Sequence, residues 1–485
     1  MSNDTSLSKK VIKGGLWVFS SRIFVRLIGF IRIIIIARLL SPKDFGLFGL
    51  LLLTLSVLEI LTQTGFHSAL IQKAKDIKPY LNTVWTIHVV RGGALYLALY
   101  ILAPFIANFF NSPTLTLYLK VVGLTVILNG FTNIGIVYFK KDIELSRQFL
   151  ITFLSTIIEF VSVIILAYYY RNVWALVIGN LIGNFVNTAT SYLLHPYRPK
   201  FDFNLAKTKE LFSYGKWLMS SSIIIFFTTQ GDDAFVGKLL GATLLGFYQM
   251  AYKISNMATT EITHVIASIT LPAFSKIQDN KKRLKESFLR TVSFISYLSF
   301  PLAVITFLLA DDLVYLILGK KWEPIIPIIK ILCVEGLFRS IGASTGPLLS
   351  GIGKPKYITF FTTIRFILLA ALIYPLTSRW GLIGTSYAVI SGALLSPFIF
   401  GKILKIISCP VREFMNAMLI PLINTIIVSC IIFIIKKYIL INPSIPRLIL
   451  ILMVSISVYL FCSFYLEIKL KYPILKPLIA TVRKR

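Results

Sequence analysis

Long apolar runs separated by short polar segments recur along the whole 485-residue chain. A helix needs roughly 20 mostly apolar residues to cross the hydrocarbon core of a bilayer. Read on that scale, the pattern predicts about fourteen spans, at 15–36, 43–65, 82–103, 116–138, 149–169, 172–194, 212–237, 243–263, 288–310, 325–348, 357–377, 383–404, 415–435 and 446–466. The spans at 172–194 and 383–404 are the weakest, being rich in Gly and polar residues. Two connections are longer than the rest. One runs His195-Pro196-Tyr197-Arg198-Pro199-Lys200 and continues as an amphipathic stretch to Phe212, which reads as a linker between two halves. The other, 272–290, carries Lys281-Lys282-Arg283-Leu284-Lys285 and predicts a basic surface helix.

The pattern therefore predicts an all-α polytopic membrane protein, because only helices and closed barrels satisfy their backbone in lipid. Composition agrees: 56% of residues are hydrophobic and only 14% charged. That excludes a soluble multidomain enzyme. A net charge of +30 raises the question of nucleic acid. The bases are scattered between apolar runs instead of clustering on one wet face, which excludes it. Their placement reports topology. With the N-terminus inside, basic residues outside the spans favour the inside segments by about three to one, as the positive-inside rule requires. Both termini are then cytoplasmic. Lys9, Lys10 and Lys13 precede a run that carries Arg22, Arg26 and Arg32 and no small-residue cleavage site, so it reads as a retained first helix. The four cysteines form no C-x-x-C and the four histidines no metal-ligand spacing; no metal and no cofactor is expected.

An ungapped internal repeat organises the chain. Gly15 aligns with Gly215, Trp17 with Trp217, Ser20-Ser21 with Ser220-Ser221, Leu39-Leu40 with Leu239-Leu240, and Gly46 with Gly246. Six spans separate the copies, so the copies share one orientation and relate by a pseudo-two-fold axis along the membrane normal. The expected organisation is an N-lobe at 1–194 (spans 1–6), a cytoplasmic linker at 195–211, a C-lobe at 212–405 (spans 7–12), and a pair of C-terminal helices with a basic tail at 406–485.

Ionisable residues inside spans each cost about 2.5–3.5 kcal/mol at a helix centre, so they must face water, pair or snorkel. Glu335 and Arg339 are spaced for a local ion pair. Glu159 and Arg365 lie mid-span and are expected to pair between helices. Arg22 and Arg26 lie on one helix face near mid-depth, and paired guanidiniums suit a diphosphate; an ion pair with an acid such as Glu59 is the competing reading. Arg32, nearer the outer end, is a second phosphate contact or an outer gate group. Arg91 faces the cavity or pairs with Glu159. Asp232 and Asp233 follow Gly231, which marks a possible helix break. Adjacent carboxylates resist ionising together, so this pair carries a coupling H+ or Na+ or forms a gate with Arg32 or Lys253.

The segment Ala37-Arg38-Leu39-Leu40-Ser41-Pro42-Lys43-Asp44-Phe45-Gly46 resembles a hallmark of polysaccharide-biosynthesis flippases. Leu240-Gly241-Ala242-Thr243-Leu244-Leu245-Gly246-Phe247-Tyr248 resembles its second-lobe counterpart. Leu271-Pro272-Ala273-Phe274-Ser275-Lys276 and Gly351-Ile352-Gly353-Lys354-Pro355-Lys356 also match family loops. The resemblance spans the chain. It is to the lipid-linked oligosaccharide, Wzx-type branch of the multidrug/oligosaccharidyl-lipid/polysaccharide exporter superfamily. It implies a non-enzymatic flippase that moves an undecaprenyl-diphosphate-linked oligosaccharide to the outer leaflet by ion-coupled alternating access. The implied partners are the polyprenyl-diphosphate-linked saccharide, the bilayer, a polysaccharide polymerase and glycosyltransferases. It also implies that helices 1, 2, 7 and 8 line a central cavity, placing Arg22, Arg26, Glu59, Asp232, Asp233 and Lys253 there. The rival readings are a lipid II flippase, a multidrug/cation antiporter and a membrane saccharide polymerase. No P-loop is present to use ATP.

Overall fold

The computed structural model describes residues 2–73, 76–142, 144–439 and 444–470; within these, the side chains of 2–16, 18–19, 22, 213–222, 261, 264 and 466–470 are among those outside the description. Arg22 and the basic tail to Arg485 thus lie outside the described residues. The fold is all-α. In chain order the helices are α1 (Ser2–Leu39), α2 (Pro42–Leu61), α3 (Phe66–Gln72), α4 (Lys78–Phe109), α5 (Leu115–Val122), α6 (Leu124–Phe131), α7 (Val137–Lys141), α8 (Leu145–Tyr170) and α9 (Trp174–Leu194). They continue as α10 (Leu205–Lys276), α11 (Lys281–Leu308), α12 (Ala310–Leu313), α13 (Ile326–Gly342), α14 (Thr345–Gly351), α15 (Lys356–Ser391), α16 (Ser396–Ile406), α17 (Val411–Ile434) and α18 (Ile445–Leu470).

Among the described residues, eight stretches are long and apolar enough to cross a membrane, and a ninth if Leu115–Phe131 and Ile134–Lys141, bent by 66°, count as one span. Every predicted span overlaps helix, but 43–65 outruns α2, which ends at Leu61, and 116–138 is broken at Thr132 and Asn133. These stretches do not show the count of fourteen: among the described residues, asparagines and threonines dilute α9, α13 is only 17 residues long, and the run Lys356–Ile406 holds two predicted spans. Tyr168, Tyr169 and Tyr170 end α8 fully or largely exposed, as interfacial aromatics do.

The chain packs as two compact units, Met1–Gly246 and Phe247–Arg485. In the first, α1 and α9 pack on α8, and α4 packs on α5 and α6. Ser41 opens α2 with a reciprocal cap: its hydroxyl accepts from the Asp44 amide, and the Asp44 carboxylate accepts from the Ser41 amide at 2.9 Å. Pro42 follows at the first helical position, where its missing N–H costs nothing. Such a cap contributes about 1 kcal/mol. The aligned position of the second repeat copy is Gly241, and there α10 turns through a left-handed residue (φ 83°) that only glycine adopts freely. The predicted break at Gly231 is not observed: the helix runs through it, because its backbone is ordinary there and the unusual dihedral falls ten residues later, at Gly241. Gly46 and Gly246, paired by the repeat, meet directly. A Cβ on Gly46 would lie 1.6 Å from the Ala242 carbonyl oxygen, and one on Gly246 would lie 2.0 Å from that of Pro42.

The linker is bound along the first unit. Tyr197 donates its hydroxyl to Asn82 Oδ1 (2.6 Å), the Lys200 amide donates to the same oxygen (3.0 Å), and the Asp202 amide donates to Thr86 Oγ1 (3.0 Å). Asn133 Nδ2 donates to the Tyr197 carbonyl at 2.8 Å. Leu211 buries the apolar face of the amphipathic stretch against Phe66, Leu70, Leu81 and Trp85. Glu210 accepts from Lys73 Nζ and from the Tyr80 hydroxyl, which raises the Lys73 pKa.

In the second unit α11 packs against α13 and α17, α13 against α15, and α17 against α18. The predicted basic surface helix is instead the first turns of α11, capped by Asn280, with Leu284, Phe288 and Val292 buried along the same helix. α15 turns at Gly381 (φ 57°). Asp312, buried at the end of the α11 hairpin, pairs with Lys436 at 2.8 Å and faces Arg447 at 3.9 Å, tying both C-terminal helices to α12.

Candidate functional site

The first unit holds an open cavity of about 740 Å³ lined by the C-terminal end of α2, the turn into α3, and parts of α4, α6 and α10. Its walls follow from local sequence. Thr62 ends α2, and Gly65 (φ 69°) reverses the chain into α3, carrying His67 into the lining. Gly92 and Gly130 let α4 and α6 approach closely: a Cβ on Gly92 would lie 2.9 Å from the Val126 carbonyl oxygen, and one on Gly130 would lie 2.7 Å from that of His88.

Arg91 and Glu59 face each other in this cavity. Arg91 donates Nε to Thr62 Oγ1 (2.9 Å) and Nη2 to the Glu59 carbonyl (2.8 Å), so the guanidinium caps the negative end of α2. The Glu59 carboxylate interacts with the Arg91 charge and with the Asn129 side chain. The His67 and His88 rings stack beside them, centroids 5.0 Å apart and planes 22° apart. Gln63, Thr229 and Gln230 complete a polar wall. The arrangement offers a matched charge pair, two imidazoles and several amides and hydroxyls. It can exchange a proton between carboxylate and water, and it can hydrogen-bond a polyhydroxylated group.

Of the sequence-predicted residues, the structure brings together Glu59 and Arg91. Arg91 thus faces the cavity; Glu159 pairs instead with Arg32, from α8 to α1. A Cβ on Gly183 would lie 2.8 Å from Glu159 Cβ, so α9 holds that carboxylate in place. Arg26 is exposed on α1. Asp232 is buried and Asp233 half-buried, one turn beyond the cavity-lining Thr229 and Gln230. Lys253 is exposed in the second unit, where Glu335 and Arg339 approach to 3.7 Å as their spacing predicts. Sequence reasoning missed the His67–His88 pair: 21 positions separate them, and no metal-like spacing marks them. Among the described residues no group of three or more metal-ligating side chains converges.

These features define a polytopic α-helical membrane protein with an open cavity, partly polar, lined by the helices of its first unit. The chain belongs to the polysaccharide biosynthesis protein family, whose model matches residues 35–327. The lipopolysaccharide biosynthesis protein WzxC of Escherichia coli K12 is 25% identical over 426 residues, covering 86% of this chain and 85% of that protein. The teichuronic acid biosynthesis protein TuaB of Bacillus subtilis is 21% identical over 390 residues, covering 80% and 81%. In fold, the chain is similar to the lipid II flippase MurJ in an inward closed conformation, with a TM-score of 0.76 at 16% identity over 94% of this chain and 100% of that one. An inward-facing multidrug-resistance MATE transporter of the MOP superfamily gives a TM-score of 0.60 at 16% identity, covering 79% and 94%. The chain is thus a multi-pass membrane protein of the polysaccharide biosynthesis protein family, with a fold shared by a lipid II flippase and a multidrug transporter.

Proposed function

We propose that the protein is a flippase that carries an undecaprenyl-diphosphate-linked oligosaccharide from the cytoplasmic to the outer leaflet for cell-surface polysaccharide synthesis. The observation that carries this reading is the family match, which covers most of the first lobe and more than half of the second. Relatives in lipopolysaccharide and teichuronic acid synthesis share it. The lobes at 1–194 and 212–405 rock about the linker, while 406–485 adds two helices, and both termini face the cytoplasm. Arg22 and Arg26 hold the diphosphate, whose two or more negative charges match two guanidiniums. Arg32, Arg91 and Lys253 add cationic contacts along the path. Glu59 exchanges a proton opposite Arg91, and Asp232 with Asp233 carries a second coupling H+ or Na+ or closes a gate.

Reconstituted protein tests this reading. Flipping of a polyprenyl-diphosphate saccharide should depend on an imposed proton or sodium gradient. The double variant Arg22→Ala, Arg26→Ala should lose it by at least a hundredfold at unchanged helix content. Retained transport in that variant removes the diphosphate assignment. Transport of lipid II in place of the saccharide, or of a cationic drug, overturns the substrate assignment. Glu59→Gln should abolish the gradient dependence while leaving saccharide binding intact.

A further inference from the structure

A second cavity, of about 260 Å³, lies wholly within the second unit, between α13, α14, α15 and α16. Its lining holds two cations, Arg339 and Arg365, and no acidic residue. Arg339 is engaged on one side: Nη1 donates to the Tyr252 hydroxyl at 2.6 Å, and Nε lies 3.7 Å from Glu335. Arg365 is not similarly held. Its Nε is buried and has no hydrogen-bond partner among the described residues, and the carboxylate that acts on it is the same Glu335. Glu335 therefore acts on both guanidiniums. Arg339 lies in the last turn of α13, and Arg365 is nine residues into α15, about 13 Å from its start. Small residues leave the guanidinium room. A Cβ on Gly342 would lie 3.9 Å from Arg365 Nη2, one on Gly392 would lie 3.9 Å from its Cγ, and Gly346 lines the cavity with open space at its Cβ position.

A guanidinium with donors left over at mid-depth is costly unless an anion completes it. The planar forks of two arginines match the oxygens of a phosphate, and a spherical halide cannot use them bidentately. The opposite wall is apolar, built from Leu349, Ile358, Phe361, Ile399 and Phe400. We propose that this cavity is a binding site for a single phosphate group, held between Arg339 and Arg365. The phosphate comes from free inorganic phosphate or from the headgroup of an anionic lipid whose chain lies on the apolar wall. The site lies beyond the saccharide-transport reading and does not depend on it.

The test uses the full-length protein in phosphatidylcholine nanodiscs, with no transport readout. Thermal unfolding is followed at constant ionic strength, with inorganic phosphate replacing chloride in one arm and phosphatidylglycerol replacing part of the lipid in the other. Wild type should gain about 2 °C or more in Tm in at least one arm. A response to phosphate assigns the free ion, and a response to phosphatidylglycerol alone assigns the lipid. Arg365→Met should lose the response and, with the surplus charge gone, should match or exceed wild-type Tm in chloride. Gly346→Leu fills the cavity with both arginines kept and should also lose the response, which covers the case of a misfolded Arg365 variant. No response of wild type in either arm, or a wild-type response in Gly346→Leu, overturns the proposal.

Discussion

The two cavities differ in how their charges are balanced. In the first unit the Arg91 guanidinium is spent on Thr62 and on the carbonyl end of α2, with the Glu59 carboxylate acting on it through space. In the second unit Arg339 and Arg365 share one carboxylate, Glu335, and Arg365 Nε is left buried without a partner among the described residues. A balanced pair inside a membrane protein stores no need for a ligand, and protonating its carboxylate leaves the guanidinium charge uncompensated. An unbalanced pair makes a standing demand for an anion. The same residue type thus serves closure in one place and capture in the other.

The sharpest way to break this contrast is to remove the arginine from each side. Arg91→Ala leaves Glu59 and the last carbonyls of α2 without their donor, and should lower stability by about 2–3 kcal/mol. The double variant Arg91→Leu, Glu59→Leu should recover most of that loss, since an apolar pair restores satisfaction. Arg365→Met should cost far less in the absence of phosphate. Thermal unfolding of the three variants decides it: an equal cost at Arg91 and Arg365 would mean that both guanidiniums are paired, and the contrast would fall.

Much of this contrast was hidden in the sequence for a physical reason. Hydrophobic runs report their own helices, so every predicted span overlaps helix, and the i, i+4 spacing of Glu335 and Arg339 reported their approach. Glu59 and Arg91 are 32 positions apart on different helices, and nothing in a linear pattern says which faces of α2 and α4 meet. Glycines decide that meeting: Gly92 and Gly130 bring α4 onto α6, and their role shows only when the missing Cβ is placed. The arginine–glutamate pairing went the same way. Glu159 was open to Arg91 by depth alone, and the packing of α8 on α1 gives it to Arg32. Gly231 and Gly241 show the limit of composition: both are glycines in α10, and only the second takes the left-handed dihedral that turns the chain.

A smaller effect sharpens the contrast from the second side. Glu335 competes with any anion for both guanidiniums, so Glu335→Gln should tighten phosphate binding about tenfold, or ~1.4 kcal/mol. Equilibrium binding of labelled phosphate to the detergent-solubilised protein measures it. Glu59→Gln in the first unit should leave that affinity unchanged. A rise in phosphate affinity for Glu59→Gln equal to that for Glu335→Gln would show that the captured anion does not sit on Arg339 and Arg365.

The smallest effect concerns pH, and it also separates the units. His67, His88 and His195 belong to the first unit, and His264, whose side chain lies outside the described residues, to the second. His195 closes α9 at the start of the bound linker. Its Nδ1 accepts the Tyr197 amide at 3.1 Å, which requires that nitrogen to be unprotonated, and its ring stacks on Tyr138. Burial lowers its pKa from 6.5, nearby Arg147 and Arg198 lower it further, and Glu144 partly opposes them. The sign follows from linkage. A folded pKa below the unfolded 6.5 means the unfolded chain binds more protons, so this contribution is complete above pH 6.5 and is lost as pH falls through the lowered value. Hydrogen exchange of residues 196–203, corrected for intrinsic rates, should therefore quicken between pH 7.5 and 5.5. In His195→Asn, whose Oδ1 keeps the acceptor without a titrating ring, it should not. The helices of the cation-rich cavity in the second unit, α13 and α15, should show no such change, because guanidiniums keep their charge across that range. Acid-quickened exchange there and not at the linker would reverse the assignment of proton sensitivity to the balanced unit.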